Sequence, residues 1–78
     1  MTKMEDNIKE ILKEIRSDVD FNSSENFIDE ELLDSLDMIK LISLIDNKFE
    51  ISIEAEDIVP ENFISINTIN NLINKYLL

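Results

Sequence analysis

The chain has 78 residues, with seven basic and 18 acidic side chains, a net charge of −11, and no cysteine, histidine or glycine. This length predicts one small domain over residues 1–78, with little room for an enclosed active-site cavity. The absence of cysteine excludes disulfides and thiolate metal sites, the absence of histidine removes the commonest general base, and the absence of glycine excludes glycine-rich phosphate loops. The negative charge disfavours binding to nucleic acid and favours a partner protein with a basic patch.

No segment approaches the roughly 20 apolar residues that a membrane-spanning helix needs. The N-terminal residues Met1–Asp6 lack a basic region followed by an apolar stretch. The sequence therefore predicts no membrane insertion, no secretory signal and a cytoplasmic location. The hydrophobic content of 44% is typical of a folded domain rather than a disordered chain.

The first predicted helix begins with Thr2 and Glu5, which have the spacing of a capping box. Its apolar residues then recur at intervals of three and four, the pattern of one buried helix face. They are Ile8, Ile11, Leu12 and Ile15. Residues 18–34 follow as a long polar loop, which we expect to be held to the core by its own apolar residues. These are Phe21, Phe27, Ile28, Leu32 and Leu33.

The second predicted helix begins at Ser35, because Asp34 is a favourable N-cap whose carboxylate can accept a backbone N–H. Asp37 lies in the first turn, where negative charge suits the helix dipole. The apolar residues that follow at helical spacing predict the buried face of this helix. They are Met38, Leu41, Ile42, Ile45 and Phe49.

The alternation in Ile51–Glu54 could indicate a strand, but the stretch is short and has no evident partner strand, so it is interpreted as an extended link. A short third helix is expected within residues 54–63, where Pro60–Phe63 suits a helical turn. Ser65 is then predicted to cap a last helix, whose apolar face repeats at helical spacing. That face is Ile66, Ile69, Leu72, Ile73, Tyr76 and Leu77.

Ser35 is the residue of greatest chemical interest, because its hydroxyl is offered at a helix start between two acids. A serine nucleophile needs a nearby base, yet the chain has no histidine, and Lys40 points away around the helix. A glycine-free chain cannot build the usual EF-hand calcium loop, so no metal site is predicted beyond loose cation binding by acids. We therefore expect no enzyme activity. A helix N-terminus favours an attached phosphate, but on position alone Ser35 is better explained as an ordinary helix-start serine.

The motif Leu33-Asp34-Ser35-Leu36-Asp37 is followed by the apolar helix pattern and by a last helix that begins Ser65-Ile66. Together with the long loop before the motif, this order closely resembles the acyl carrier protein family over essentially the whole chain. The resemblance implies an all-α fold, a four-helix bundle of acyl-carrier type with three longer helices and one short helix. We also expect the chain to be a monomer.

By the same resemblance, Ser35 matches the serine that receives a covalent 4′-phosphopantetheine arm from a holo-carrier synthase using coenzyme A. The arm carries acyl or aminoacyl groups as thioesters, and the carrier presents them to partner enzymes without catalysing a reaction. Asp34 and Asp37 would help to engage the synthase. The other implied partners are an adenylating acyl or aminoacyl ligase and acyl-transfer enzymes.

Two departures from the family pattern bear on the cargo. The family often has a glycine where this chain has Leu32, and the segment Glu31–Ser35 looks more like the stand-alone D-alanyl and other aminoacyl carriers. Pro60–Ser65 also favours that subgroup. Fatty-acid carriers usually have an acid where Lys40 stands, so contact with a standard fatty-acid synthase set is in doubt.

Helix geometry places Leu36 and Ile39 off the buried face, on the side that carries Ser35. They are candidates for a partner-docking patch, with Asp37 and Asp46 as nearby charges and Lys40 as a further residue for partner contact. Scattered surface hydrophobes are the ordinary alternative. A small acidic interaction module without a prosthetic group is the alternative function.

Overall fold

The computed structural model describes residues 3–21 and 26–77, and within them the chain has three α-helices and no strand. All-helical architecture was the expected fold class. The helices are α1 (Lys3–Ile15), α2 (Ser35–Phe49) and α3 (Ile66–Leu77). α1 packs against both α2 and α3. The predicted capping box of Thr2 and Glu5 cannot be followed, because Thr2 lies outside the described residues.

The short fourth helix of the predicted bundle is replaced by two 3₁₀ turns, Ala55–Asp57 and Pro60–Phe63. Neither turn is long enough to propagate an α-helix, and Pro60 cannot donate a backbone hydrogen bond to the preceding turn. The prediction that Pro60 opens a helical turn is correct in its 3₁₀ form. The extended link before these turns is also as predicted.

One hydrophobic core joins the three helices, the second 3₁₀ turn and the loop between α1 and α2. The predicted helix faces supply most of it, and the loop adds Phe21, Phe27 and Leu33, all less than a tenth exposed. Phe21 and Phe27 meet edge to face with ring centroids 5.0 Å apart. The described parts of this loop are therefore held to the core by their apolar residues, as expected. Leu77 was assigned to the apolar face of α3, but it is half exposed at the C-terminal end of the helix.

Asp57 links the first 3₁₀ turn to the end of α3. Its carboxylate accepts hydrogen bonds from the Tyr76 hydroxyl at 2.5 Å and from Lys75 Nζ at 2.9 Å. The bond from Tyr76, followed by that from Lys75, lowers the pKa of Asp57 below its ordinary value. The Tyr76 hydroxyl also accepts the Glu54 N–H at 2.9 Å. These contacts hold the segment between α2 and α3 against the third helix.

Two glutamates adopt the left-handed backbone conformation that glycine usually supplies. Glu31 has φ 57°, and Glu50, which ends α2, has φ 54°. The N–H groups of Glu50 and Ile51 both bond to the carbonyl oxygen of Asp46, so Glu50 occupies the position where helices commonly end with glycine. A side chain with a Cβ is strained there, at a cost of about 1 kcal/mol.

We predict that Glu50→Gly raises the free energy of unfolding by about 0.5–1 kcal/mol, because it relieves this strain more than it increases the entropy of the unfolded chain. The matched control is Glu54→Gly, since Glu54 has φ −76° and gains nothing from glycine. Urea unfolding of both variants measures the difference. Equal destabilisation by the two substitutions would show that Glu50 is not strained.

Candidate functional site

Ser35 is the first residue of α2, and its side chain faces solvent. The preceding Leu33 is only 4% exposed and anchors the chain in the core, while Asp34 is extended with φ −104° and ψ −174°. The buried Leu33 and the extended Asp34 therefore fix the position at which α2 begins. Within residues 3–21 and 26–77, the Ser35 hydroxyl makes no hydrogen bond.

Two carboxylates hold the start of α2 by bonding to each other's backbone. Asp34 Oδ1 accepts the Asp37 N–H at 2.9 Å, and Asp37 Oδ2 accepts the Asp34 N–H at 3.3 Å. This reciprocal arrangement is a capping box. The N-cap role predicted for Asp34 is confirmed. The return bond from Asp37 was missed, because that position in a capping box is usually Glu or Gln.

Asp37 is the one charged residue in the described core region, only 9% exposed, and its carboxylate lies at the positive end of the helix dipole. This burial leaves little of Asp37 for an enzyme to contact, whereas Asp34 is exposed. The predicted contact of both residues with a synthase stays a prediction. The geometry assigns Asp37 first of all to fixing the helix start.

Residues 26–32, which precede the N-cap of α2, are held by local hydrogen bonds and by one bond to Ile64. Asn26 Oδ1 accepts the N–H groups of Ile28 and Asp29 at 3.1 and 2.9 Å, which begins a single helical turn. The Leu32 N–H closes that turn on the carbonyl of Phe27 at 2.8 Å. The Phe27 N–H donates to the carbonyl of Ile64 at 2.6 Å, so the loop is tied to the residues before α3.

Arg16, the chain's one arginine, supports this loop from the end of α1. Its guanidinium pairs with Asp18 at 3.2 Å and reaches the carbonyl of Leu32 at 3.5 Å. The hydrogen bond and charge of Asp18 raise the pKa of Arg16, and the nearby charges of Asp37 and Asp34 raise it further. Sequence reasoning did not identify this residue, because nothing in the local pattern links Arg16 to a carbonyl 16 residues later.

Leu36 and Ile39 are exposed beside Ser35, at 69% and 62%. Their predicted position off the buried face is therefore confirmed, and Lys40 is exposed next to them. Asp46 is half-buried, and its Oδ1 accepts the Ile53 N–H at 3.1 Å. It holds the extended link against α2. The partner-binding roles predicted for Leu36, Ile39, Lys40 and Asp46 stay predictions.

The site can offer a hydroxyl and receive a phosphate. The N–H groups of Ser35 and Leu36 have no acceptor among the described residues and lie at the positive end of the α2 dipole. The two neighbouring carboxylates are used as caps. Within the same described residues, no cluster of three or more acids could hold a metal ion. A phosphodiester on Ser35 Oγ fits this arrangement.

A comparison with protein families found that the family described as "Phosphopantetheine attachment site" matches residues 3–75. Searches of curated proteins and of solved structures found no match. In the described part of the chain, no helix has the length and apolar character needed to cross a membrane.

We predict that Asp34→Ala lowers the free energy of unfolding by about 1 kcal/mol, because the Asp37 N–H loses its acceptor. Asp34→Ser keeps a side-chain oxygen at the N-cap and should recover most of that loss. Asp29→Ala removes an exposed acid outside the capping box and serves as the charge control. Urea unfolding compares the three. If Asp34→Ala and Asp29→Ala are equally stable, the capping box does not stabilise the helix start.

Proposed function

The chain belongs to the family of proteins with a phosphopantetheine attachment site, and from this membership we propose that Ser35 is the residue that carries the arm. Members of the family are non-catalytic carriers that hold 4′-phosphopantetheine covalently. They interact with the synthase that attaches the arm and with acyl-handling enzymes. The alternative of an acidic module without a prosthetic group is set aside by this membership.

One observation supports the proposal for Ser35: its hydroxyl is exposed at the first turn of a capped helix and makes no hydrogen bond to any residue that the structure describes. None of the other described serines combines a free hydroxyl with a position at the start of a helix. Ser65 uses its hydroxyl to accept the Thr68 N–H at 3.1 Å, which also confirms its predicted capping of α3. Ser43 is exposed but lies within α2, where its own N–H is used in the helix. Ser17 and Ser52 lie outside the helices.

The residues around Ser35 would perform distinct tasks for an attached arm. When bound, the arm supplies a thiol that holds cargo as a thioester. The backbone N–H groups of Ser35 and Leu36 can bind the phosphodiester, and the capping box keeps them pointing outwards. Leu36 and Ile39 offer an apolar surface on which a partner enzyme can dock while it reaches the arm.

We propose that the cargo is a short aminoacyl group, loaded by an adenylating ligase. The fully buried side chains support this, because five of the nine are isoleucine and none is methionine. Branched isoleucine side chains adapt poorly to an inserted chain, and a close-packed core resists expansion. A fatty acyl chain would need apolar space between the helices. An aminoacyl group is short and polar and needs no such apolar space, so it can remain in solvent at the end of the arm.

We predict that a holo-synthase with coenzyme A adds one phosphopantetheine to the wild-type chain and none to Ser35→Ala. Ser43→Ala is the matched control, because it removes an exposed hydroxyl from the same helix. Intact-mass measurement before and after the reaction gives the result. Arm attachment to Ser35→Ala would place the site elsewhere. A wild-type chain that stays unmodified with several synthases would contradict its role as a carrier.

A further inference from the structure

The exposed residues of α2 include no acid, although the chain carries 18 acids in 78 residues. Two of the exposed residues are lysines, and the others are neutral. The set is Ser35, Leu36, Ile39, Lys40, Ser43, Asn47 and Lys48. The helix that begins at the arm-bearing serine therefore presents a surface whose charge is opposite to that of the whole chain.

The two acids within α2 both accept hydrogen bonds from backbone N–H groups. Asp37 is buried in the capping box, and the carboxylate of Asp46 accepts the Ile53 N–H. The lysines also differ from each other. Lys48 pairs with Glu10 of α1 at 3.3 Å, whereas Lys40 makes no ion pair within the described residues. Of the two exposed lysines on α2, Lys40 is therefore the one whose ammonium group can pair with a partner protein.

Helical spacing places Lys40 within the area that an enzyme acting on Ser35 would cover. Ile39 lies one turn beyond Ser35, and Lys40 lies one turn beyond Leu36. Leu36 and Ile39, three residues apart, connect the two. Leu36, Ile39 and Lys40 therefore form one continuous patch of two apolar side chains and a cation, which we name the α2 patch.

The surroundings of the α2 patch are acidic. Asp29, Glu31 and Asp34 are exposed on the loop and N-cap before α2. Such acids, with the net charge of −11, attract a basic surface from a distance. A uniformly basic surface would then meet Lys40 at close range and be repelled, because like charges placed opposite each other at an interface are unfavourable. A partner that matches this surface therefore carries basic groups opposite the acids before α2 and an acidic group opposite Lys40.

We propose that the synthase that attaches the arm to Ser35 presents an acidic side chain to Lys40, beside an apolar pocket for Leu36 and Ile39, and that Lys40 thereby selects this partner. This inference rests on the proposed function of Ser35. The pair would be a contact at the rim of the interface, because Lys40 lies one helical turn beyond the reacting end of α2.

The test measures arm transfer from coenzyme A by the holo-synthase that modifies the wild-type chain fastest. We expect Lys40→Glu to raise KM about tenfold and Lys40→Gln about threefold, with kcat unchanged, because rim charges act mainly on association. Added salt should shrink both effects by screening. Lys13→Glu is the matched control, since Lys13 is an exposed helical lysine on α1 with no ion pair in the described residues. It should change KM less than twofold.

Melting temperatures of the three variants show that each is folded, and the outcomes then separate the two claims. If Lys40→Glu matches Lys13→Glu, or is modified faster than wild type, the acidic contact to Lys40 is wrong while the carrier function stands. If the wild-type chain accepts no arm at all, the proposed function fails, and the inference fails with it.

Discussion

The start of helix α2 depends on two carboxylates that each accept a backbone N–H from the other's residue. Asp34 and Asp37 satisfy groups that would otherwise lack an acceptor, and they place Ser35 at the first turn with its hydroxyl in solvent. Leu33 fixes this point from the core side. The acids next to Ser35 accept backbone N–H groups as caps, and among residues 3–21 and 26–77 no side chain accepts a hydrogen bond from the Ser35 hydroxyl. The same arrangement that makes Ser35 a poor nucleophile makes it accessible to another enzyme.

The rest of the fold keeps this helix start in place. The loop before it bonds to the residues preceding α3 through the Phe27 N–H, and Arg16 reaches the carbonyl of Leu32 from α1. The start of α2 is therefore held by contacts from the end of α1 and from the segment that precedes α3. On the other side, Asp46 binds the extended link after α2. The exposed residues of α2 consequently include no acid, and Leu36, Ile39 and Lys40 are exposed beside Ser35.

The sequence predicts the features that depend on local pattern. The N-cap at Asp34, the helix start at Ser35, the exposure of Leu36 and Ile39 and the capping by Ser65 follow from spacing and residue type. Features that depend on contacts between distant residues could not be predicted in this way. The bond from Phe27 to Ile64 joins residues 37 positions apart, and no periodicity indicates it. Nor does composition reveal that glutamates take left-handed positions in a chain without glycine.

We propose that Ser35, capped and facing solvent, lies outside a closed core rich in isoleucine, so that arm and cargo remain outside the bundle. Amide chemical shifts of the arm-bearing protein, loaded with an octanoyl and with an alanyl group, test it most directly. Both cargoes are expected to change chemical shifts only near Ser35, including those of Leu36 and Ile39. Large octanoyl-dependent changes at the core residues Ile45 and Ile69, and at Ile42 beside them, would contradict it, because they would show a chain inserted between the helices.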